Sequence, residues 1–536
     1  MKHFCLICVL LLTVQISFSQ QDLEKVDSAI IAQIRDEGLN RSQVMEFLSY
    51  LTDVYGPRLS GSPGYFAAAT WARDKMESIG LENSHLEAWG PWGRGWTLKK
   101  YSANVIGRQN FPLISCAKAW SPGVNETGEV VYFDAETDSA IDTFRGKLKG
   151  KYVMLGNPRV IEPPFEPFAH RQPDSVLLRL ANADVRRSRG RRFERSPEMK
   201  VQELLSFHKM ELCEKEGAAG ILSISRGDGG NVFVGSASRA VHPDSPWTRG
   251  IPIYSEKGPK VLPQIVVGAE HYNRLVRMIQ KGEKLKLHVA LDVAFNRADS
   301  GYNIIAEIPG TDLKDEVVMV GGHFDSWHGG TGATDNATGC SAAMEAMRIL
   351  KALNLKPRWT IRIGLWDAEE HGFLGSRGYI NKHFVEASDA SSMREGNVKY
   401  KPEGDNFSVY FNHDNGAGKI RGIYLQGNES ARQIFRSWLR PFNDLGASTI
   451  TVQNTGGTDH QAFDGVGLPG FQFIQDELDY STRTHHATMD LYERVPPDDL
   501  KQAATIMAAF IYNAAMRDQK FPRKPLTPSP PPPPSN

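Results

Sequence analysis

Four short apolar runs in the second half of the chain constrain its fold more than any other feature: Val317–Val320, Trp359–Leu365, Ser408–Asn412 and Gly470–Ile474. Runs of this length, bounded by glycine, proline or charge, suit strands buried on both faces of a sheet. Between the first two lies Thr338–Leu353, where Ala342, Ala343, Met344, Met347 and Leu350 form one apolar side at helical spacing. A second helical pattern, Asp498–Ala515, closes the region. Strand-like and helical runs that alternate in this way predict an α/β fold, a sheet flanked by helices.

Each of the four runs is followed by metal-type side chains. Val317–Val320 leads to His323 and Asp325, Trp359–Leu365 to Asp367, Glu369 and Glu370, Ser408–Asn412 to His413 and Asp414, and Gly470–Ile474, after a loop, to His485 and His486. Sites in open α/β sheets form outside the carboxyl ends of the strands, so one sheet would bring all four clusters to one edge. Asp335 lies in the glycine-rich loop Gly329–Gly339, between the first run and its helix. Taken singly, each residue has a bland reading: a surface histidine, a solvated Glu-Glu pair, an aspartate in a turn. Their coincidence at four strand ends favours a site.

Imidazole and carboxylate are acceptable zinc donors. Three carboxylates and two imidazoles can serve two metals if one carboxylate bridges, as in two-metal hydrolases. Glu369 is then the general base, taking a proton from water and delivering it to a leaving amine. Glu370 faces the other way if the segment is extended. Asp325, two residues after His323, is expected to accept that ring's second N–H, and Asp490, four residues after His486, to do the same for it. No G-x-S-x-G or H-E-x-x-H motif is present, so serine-hydrolase and zincin chemistry are not favoured.

The rest of the 536-residue chain supplies context. Lys2 and His3, the apolar stretch Phe4–Val14 and Ser17-Phe18-Ser19 read as a signal peptide over 1–19, which predicts export to the periplasm or outside. Of five cysteines, Cys5 and Cys8 fall in that segment; Cys116, Cys213 and Cys340 form no disulfide framework or zinc knuckle, leaving one bridge or three buried thiols. Lys plus Arg equals Asp plus Glu at 62 each, so no global charge argues for nucleic acid or an anionic membrane. The basic run Arg186–Arg195 reads as a solvated loop or helix face. Residues from Leu23 to about Gly90 look helical. A β-rich block over 123–295 interrupts the α/β texture, with runs at Val130–Phe133, Tyr152–Leu155, Gly220–Ser223 and Ile265–Val267 and helical stretches at Val201–Glu216 and Ala269–Gln280. The Pro-rich tail, 521–536, is expected to be extended or disordered.

The segments GGHFDSWHGGTGATDNATG, LWDAEEHGFLGS, NHDNGAG, TGGTDHQAFDGVGLPG and HHATMD resemble peptidase family M28, in that family's order, and its carboxypeptidase branch in particular, as does the early LTDVYGPRLSGS. KGKYVMLGNPR, KEGAAGILSI and LPQIVVGAE resemble a protease-associated domain, which that family inserts ahead of its catalytic motifs. The resemblance implies a zinc-exopeptidase-type mixed sheet over 20–122 and 296–520, interrupted by the inserted domain. It implies two zinc ions, one on His323 and Asp414, the other on Glu370 and His486, bridged by Asp335, with a cis peptide at Asp335–Asn336. It makes Asp459 part of the substrate cleft, Tyr480 a candidate to stabilise the tetrahedral intermediate, and His485 a support behind the ligands. Asn336 and His413 depart from that branch, which often carries Asp and Ser there. The implied substrates are peptides or dipeptides; an aminopeptidase shares the same metal site, and a homodimer stays an open alternative. A glutaminyl cyclase-like acyltransferase would need one zinc, and a non-catalytic binding protein would have lost ligands that this chain keeps.

Overall fold

The computed structural model describes residues 24–184, 196–244, 251–386 and 398–525. The signal segment, the run Arg186–Arg195 and most of the Pro-rich tail lie outside these residues. The chain builds two eight-stranded sheets. In chain order the strands are β1 (Glu82–Gly90), β2 (Gly93–Ile106), β3 (Phe111–Pro112), β4 (Ser115–Ala117), β5 (Val124–Tyr132), β6 (Tyr152–Leu155), β7 (Gly220–Ile224), β8 (Gln264–Val267) and β9 (Lys286–Ala298). There follow β10 (Gly301–Ile308), β11 (Leu313–His323), β12 (Trp359–Trp366), β13 (Phe407–Asn412), β14 (Ile420–Tyr424), β15 (Thr449–Thr451) and β16 (Gly470–Gln475).

The first sheet has the order β1-β10-β12-β11-β13-β16-β14-β15. Its centre, β12-β11-β13-β16, is parallel. β11 shows why. Val318 and Val320 join the core formed with helices Thr338–Ala352 and Pro497–Ala515. Val317 and Met319 join a core on the opposite face with Trp366, Tyr379 and Phe463. Side chains that alternate between two covered faces leave no polar position, hence the unbroken apolar run. At Gly321 a Cβ would stand 1.8 Å from the Gly364 carbonyl of β12, so the strands close up only because that position is bare.

The second sheet has the order β3-β2-β9-β5-β6-β7-β8-β4. β2 and β9 pair antiparallel along their whole length, from Gly93↔Ala298 to Ile106↔Lys286. The β-rich unit therefore begins at Gly93, upstream of residue 123, where the sequence reading opened it. The helical reading of 23–90 also ends early: after helix Pro63–Ser78 the chain forms edge strand β1, paired only with β10. Cys116, Cys213 and Cys340 are buried free thiols. Among the described residues no helix is long and apolar enough to cross a membrane.

Candidate metal centre

The four clusters meet at the carboxyl edge of the first sheet. β11 ends on His323. β12 is followed by Ala368, held at φ 55°, and the tight turn Glu369–His371, so the two glutamates diverge through a turn and not along an extended segment. β13 delivers His413 and Asp414. The loop after β16 delivers His485 and His486, the latter at φ 60°. Such left-handed residues cost energy and persist where surroundings fix them. Here the inserted unit does so: the Val234 N–H donates to the His486 carbonyl at 2.8 Å, and Arg226 donates to the His485 carbonyl at 3.1 Å. Asp335 sits between Gly332, at φ 67°, and the helix starting at Thr338. The Asp335–Asn336 peptide is cis.

Asp335 faces both sides of the cluster. His323 Nε2 lies 3.2 Å from its Oδ1 and 3.4 Å from Asp414 Oδ1. His486 Nε2 lies 3.4 Å from Asp335 Oδ2 and 2.8 Å from Glu370 Oε2. The ligating atoms form two groups, His323-Asp335-Asp414 and Asp335-His485-His486, each within 4.8 Å, and Asp335 belongs to both. Asp335 Oδ2, Glu370 Oε1 and Asp414 Oδ1 are buried without a hydrogen-bond partner. Buried carboxylate oxygens left bare in this way suit divalent cations, and the mix of imidazole and carboxylate donors suits zinc. Burial disfavours the charge on Asp335, but His323, His486 and His485 together hold its pKa below the usual carboxylate range. Burial pushes Glu369 well above that range, with Asp414, Glu370 and Asp459 acting the same way against His323.

The surrounding residues differ in places from the sequence reading. His323 Nδ1 lies 3.0 Å from the main-chain carbonyl of Asp325, whose carboxylate oxygen is 3.6 Å away. That carboxylate instead accepts from the Glu369 N–H at 3.0 Å and the Ser60 hydroxyl at 3.1 Å. Asp490 accepts from the Thr334 N–H at 2.6 Å, which ties it to the Asp335 loop in place of the expected bond to His486. Asp459 is buried and accepts from Ser376 at 2.5 Å. His485, expected behind the ligands, brings Nε2 within 4.0 Å of Asp335 Oδ2, and the Tyr480 ring lies 4.8 Å from its own.

Two residues went unassigned in sequence. Arg58 is fully buried and donates to the carbonyls of Leu51, Phe324, Thr331 and Gly332. Trp327 donates its indole N–H to Glu370 Oε2 at 2.8 Å. Their segments, LTDVYGPRLSGS and HFDSWHGG, stand out in sequence, but nothing there states what either side chain holds.

Residues 303–511 match Peptidase family M28. Carboxypeptidase Q of Mus musculus is 26% identical over 502 residues, 93% of this chain and 91% of that protein. The crystal structure of a peptidase M28 precursor from Shewanella amazonensis superposes with a TM-score of 0.65 at 23% identity, covering 94% of this chain and 99% of its own. BSAP, a zinc aminopeptidase from Bacillus subtilis, superposes with a TM-score of 0.52 at 18% identity, covering 89% and 96%.

Proposed function

We propose that the chain, whose residues 303–511 match peptidase family M28, is an exported, two-zinc exopeptidase that hydrolyses dipeptides or trims short peptides at a free C-terminus. The observation that carries the metal reading is Asp335, shared between two groups of donors. His323 and Asp414 would hold one zinc, Glu370 and His486 the other, with Asp335 between them. Zinc bound there supplies Lewis acidity, polarising a carbonyl and making water nucleophilic near neutral pH.

The protein's own groups do the rest. Glu369 takes a proton on its carboxylate and returns it to the leaving amine. The Asp325 carboxylate, on the Glu369 N–H, fixes the turn that aims this side chain. The inserted unit holds the His485-His486 loop by its main chain, which orients one imidazole ligand. Tyr480, whose ring lies 4.8 Å from that of His485, would donate its hydroxyl to a developing oxyanion.

Attack at the C-terminal end draws its support from the likeness to carboxypeptidase Q over nearly the whole chain. Aminopeptidase action on the same centre is the second reading, favoured by the fold shared with the Bacillus subtilis zinc aminopeptidase. Peptides blocked at either end decide between them, with zinc content measured in parallel. Cleavage of N-acetylated but not C-amidated peptides supports the first reading and overturns the second; the reverse pattern overturns the first. One zinc per chain with pyroglutamate formation would overturn both.

A further inference from the structure

We infer that Trp327 is a positioning residue whose indole fixes the Glu370 carboxylate against His486, and so governs one of the two metal positions but not the other. The inference rests on the two-metal reading above and asks what sets the two positions apart. Glu370 has two carboxylate oxygens in different circumstances. Oε2 accepts the Trp327 indole N–H at 2.8 Å and lies 2.8 Å from His486 Nε2. Oε1 is buried with no hydrogen-bond partner. An indole N–H can only donate. It therefore holds the carboxylate in one rotation, with Oε2 against His486 Nε2 and Oε1 left without a partner.

The same indole reaches the second member of that pair. Its ring centroid lies 5.9 Å from that of His486, at 58°. It also lies 5.6 Å from His371, which is boxed in by Trp92, Trp120 and Tyr254. Its backbone is tied down next door, where the Ser326 N–H donates to the Arg58 carbonyl at 3.1 Å and the Arg58 N–H donates to the Ser326 hydroxyl at 3.0 Å. Trp327 is thus a rigid donor against Glu370 and His486. His323, of the other pair, takes its support from the Asp325 carbonyl. Groups that orient a metal ligand from behind typically cost 10–100-fold in metal affinity when removed.

The test is zinc binding to the full chain, by chelator competition on metal-free protein, for wild type, Trp327→Phe and Trp92→Phe. Phenylalanine keeps a ring and loses the donor. The Trp92 indole N–H is buried without an acceptor and its ring also packs on His371, so that variant controls for packing. The expected result is two zinc ions in wild type, one of them bound about 10–100-fold more weakly in Trp327→Phe, and no change in Trp92→Phe. Cooperative thermal unfolding of each metal-free variant shows that it is folded before its zinc is titrated. Should Trp327→Phe not fold, benzothienylalanine at position 327 replaces the N–H by sulfur at the same ring shape and must show the same selective loss. Wild type that binds fewer than two ions overturns the two-metal reading itself. Wild type with two ions and an unchanged Trp327→Phe, or equal weakening of both ions, overturns the role of Trp327 alone.

Discussion

Arg58→Met should destabilise the catalytic unit and loosen its metal loop together. The guanidinium is fully buried and donates to Phe324 O at 2.7 Å and to Leu51, Thr331 and Gly332 O at 2.9 Å. Hydrogen bonds to a charged group are worth about 1.5–3 kcal/mol each, so four represent roughly 6–12 kcal/mol before the cost of burying the charge itself is set against them. Methionine relieves the several kcal/mol spent on burying the charge, but it strands four carbonyls. The balance is a loss of about 3–5 kcal/mol, or roughly 6–20 °C in Tm at about 2–4 °C per kcal/mol. Three of the four carbonyls belong to the segment between His323 and Asp335, so zinc should also leave faster to a chelator. Thermal unfolding with and without zinc, beside a chelator time course, reads both effects. Arg58→Lys keeps the charge with three donors on a point-like head and should recover only part of each. If Arg58→Met melts within about 2 °C of wild type, a shift worth under about 1 kcal/mol, and keeps its zinc, the reasoning fails.

Two further outcomes follow from the same geometry. Glu369→Gln should retain zinc by mass spectrometry and lose about 10²–10⁴-fold in turnover; full activity would remove Glu369 from the base role. His383 donates to Glu403 at 3.0 Å and to Glu87 at 2.9 Å, and although burial disfavours its charge, these partners raise it from 6.5 to about 9. A raised histidine contributes stability that is present below pH 6.5 and lost as pH rises through about 9. After discount for partial exposure, His383→Gln should cost about 1–2 kcal/mol at pH 6 and nearly nothing at pH 10. A wild-type-minus-variant difference in Tm that stays constant across that range would refute the pairing.

How much of this was legible depended on whether one residue's signal was enough. β6 at Tyr152–Leu155 and the four strands around the centre stand where the apolar runs predict them, because burial on both faces writes itself into a single segment, and the helix Ala269–Gln280 does so through its one apolar face. β1 was not legible: ENSHLEAWG carries no alternation, and it is a strand only because β10 lies beside it. β2 likewise takes its identity from β9, far along the chain. The same limit governs the support of the ligands. Spacing put a carboxylate two residues after His323, but it could not say which oxygen of Asp325 meets the imidazole. The carbonyl does, and the carboxylate goes to Glu369 and Ser60. Asp325→Asn separates the two arrangements. The carbonyl is untouched by that change, so zinc affinity at both positions should stay at the wild-type value. The Glu369 N–H exchanges a charged acceptor for a neutral one, a loss of about 1–2 kcal/mol, felt as roughly a 10-fold drop in turnover because the turn no longer aims the base. Turnover at saturating zinc, set against zinc affinity, distinguishes them. Weaker zinc binding with full turnover once both ions are restored would mean that the carboxylate orients His323 after all.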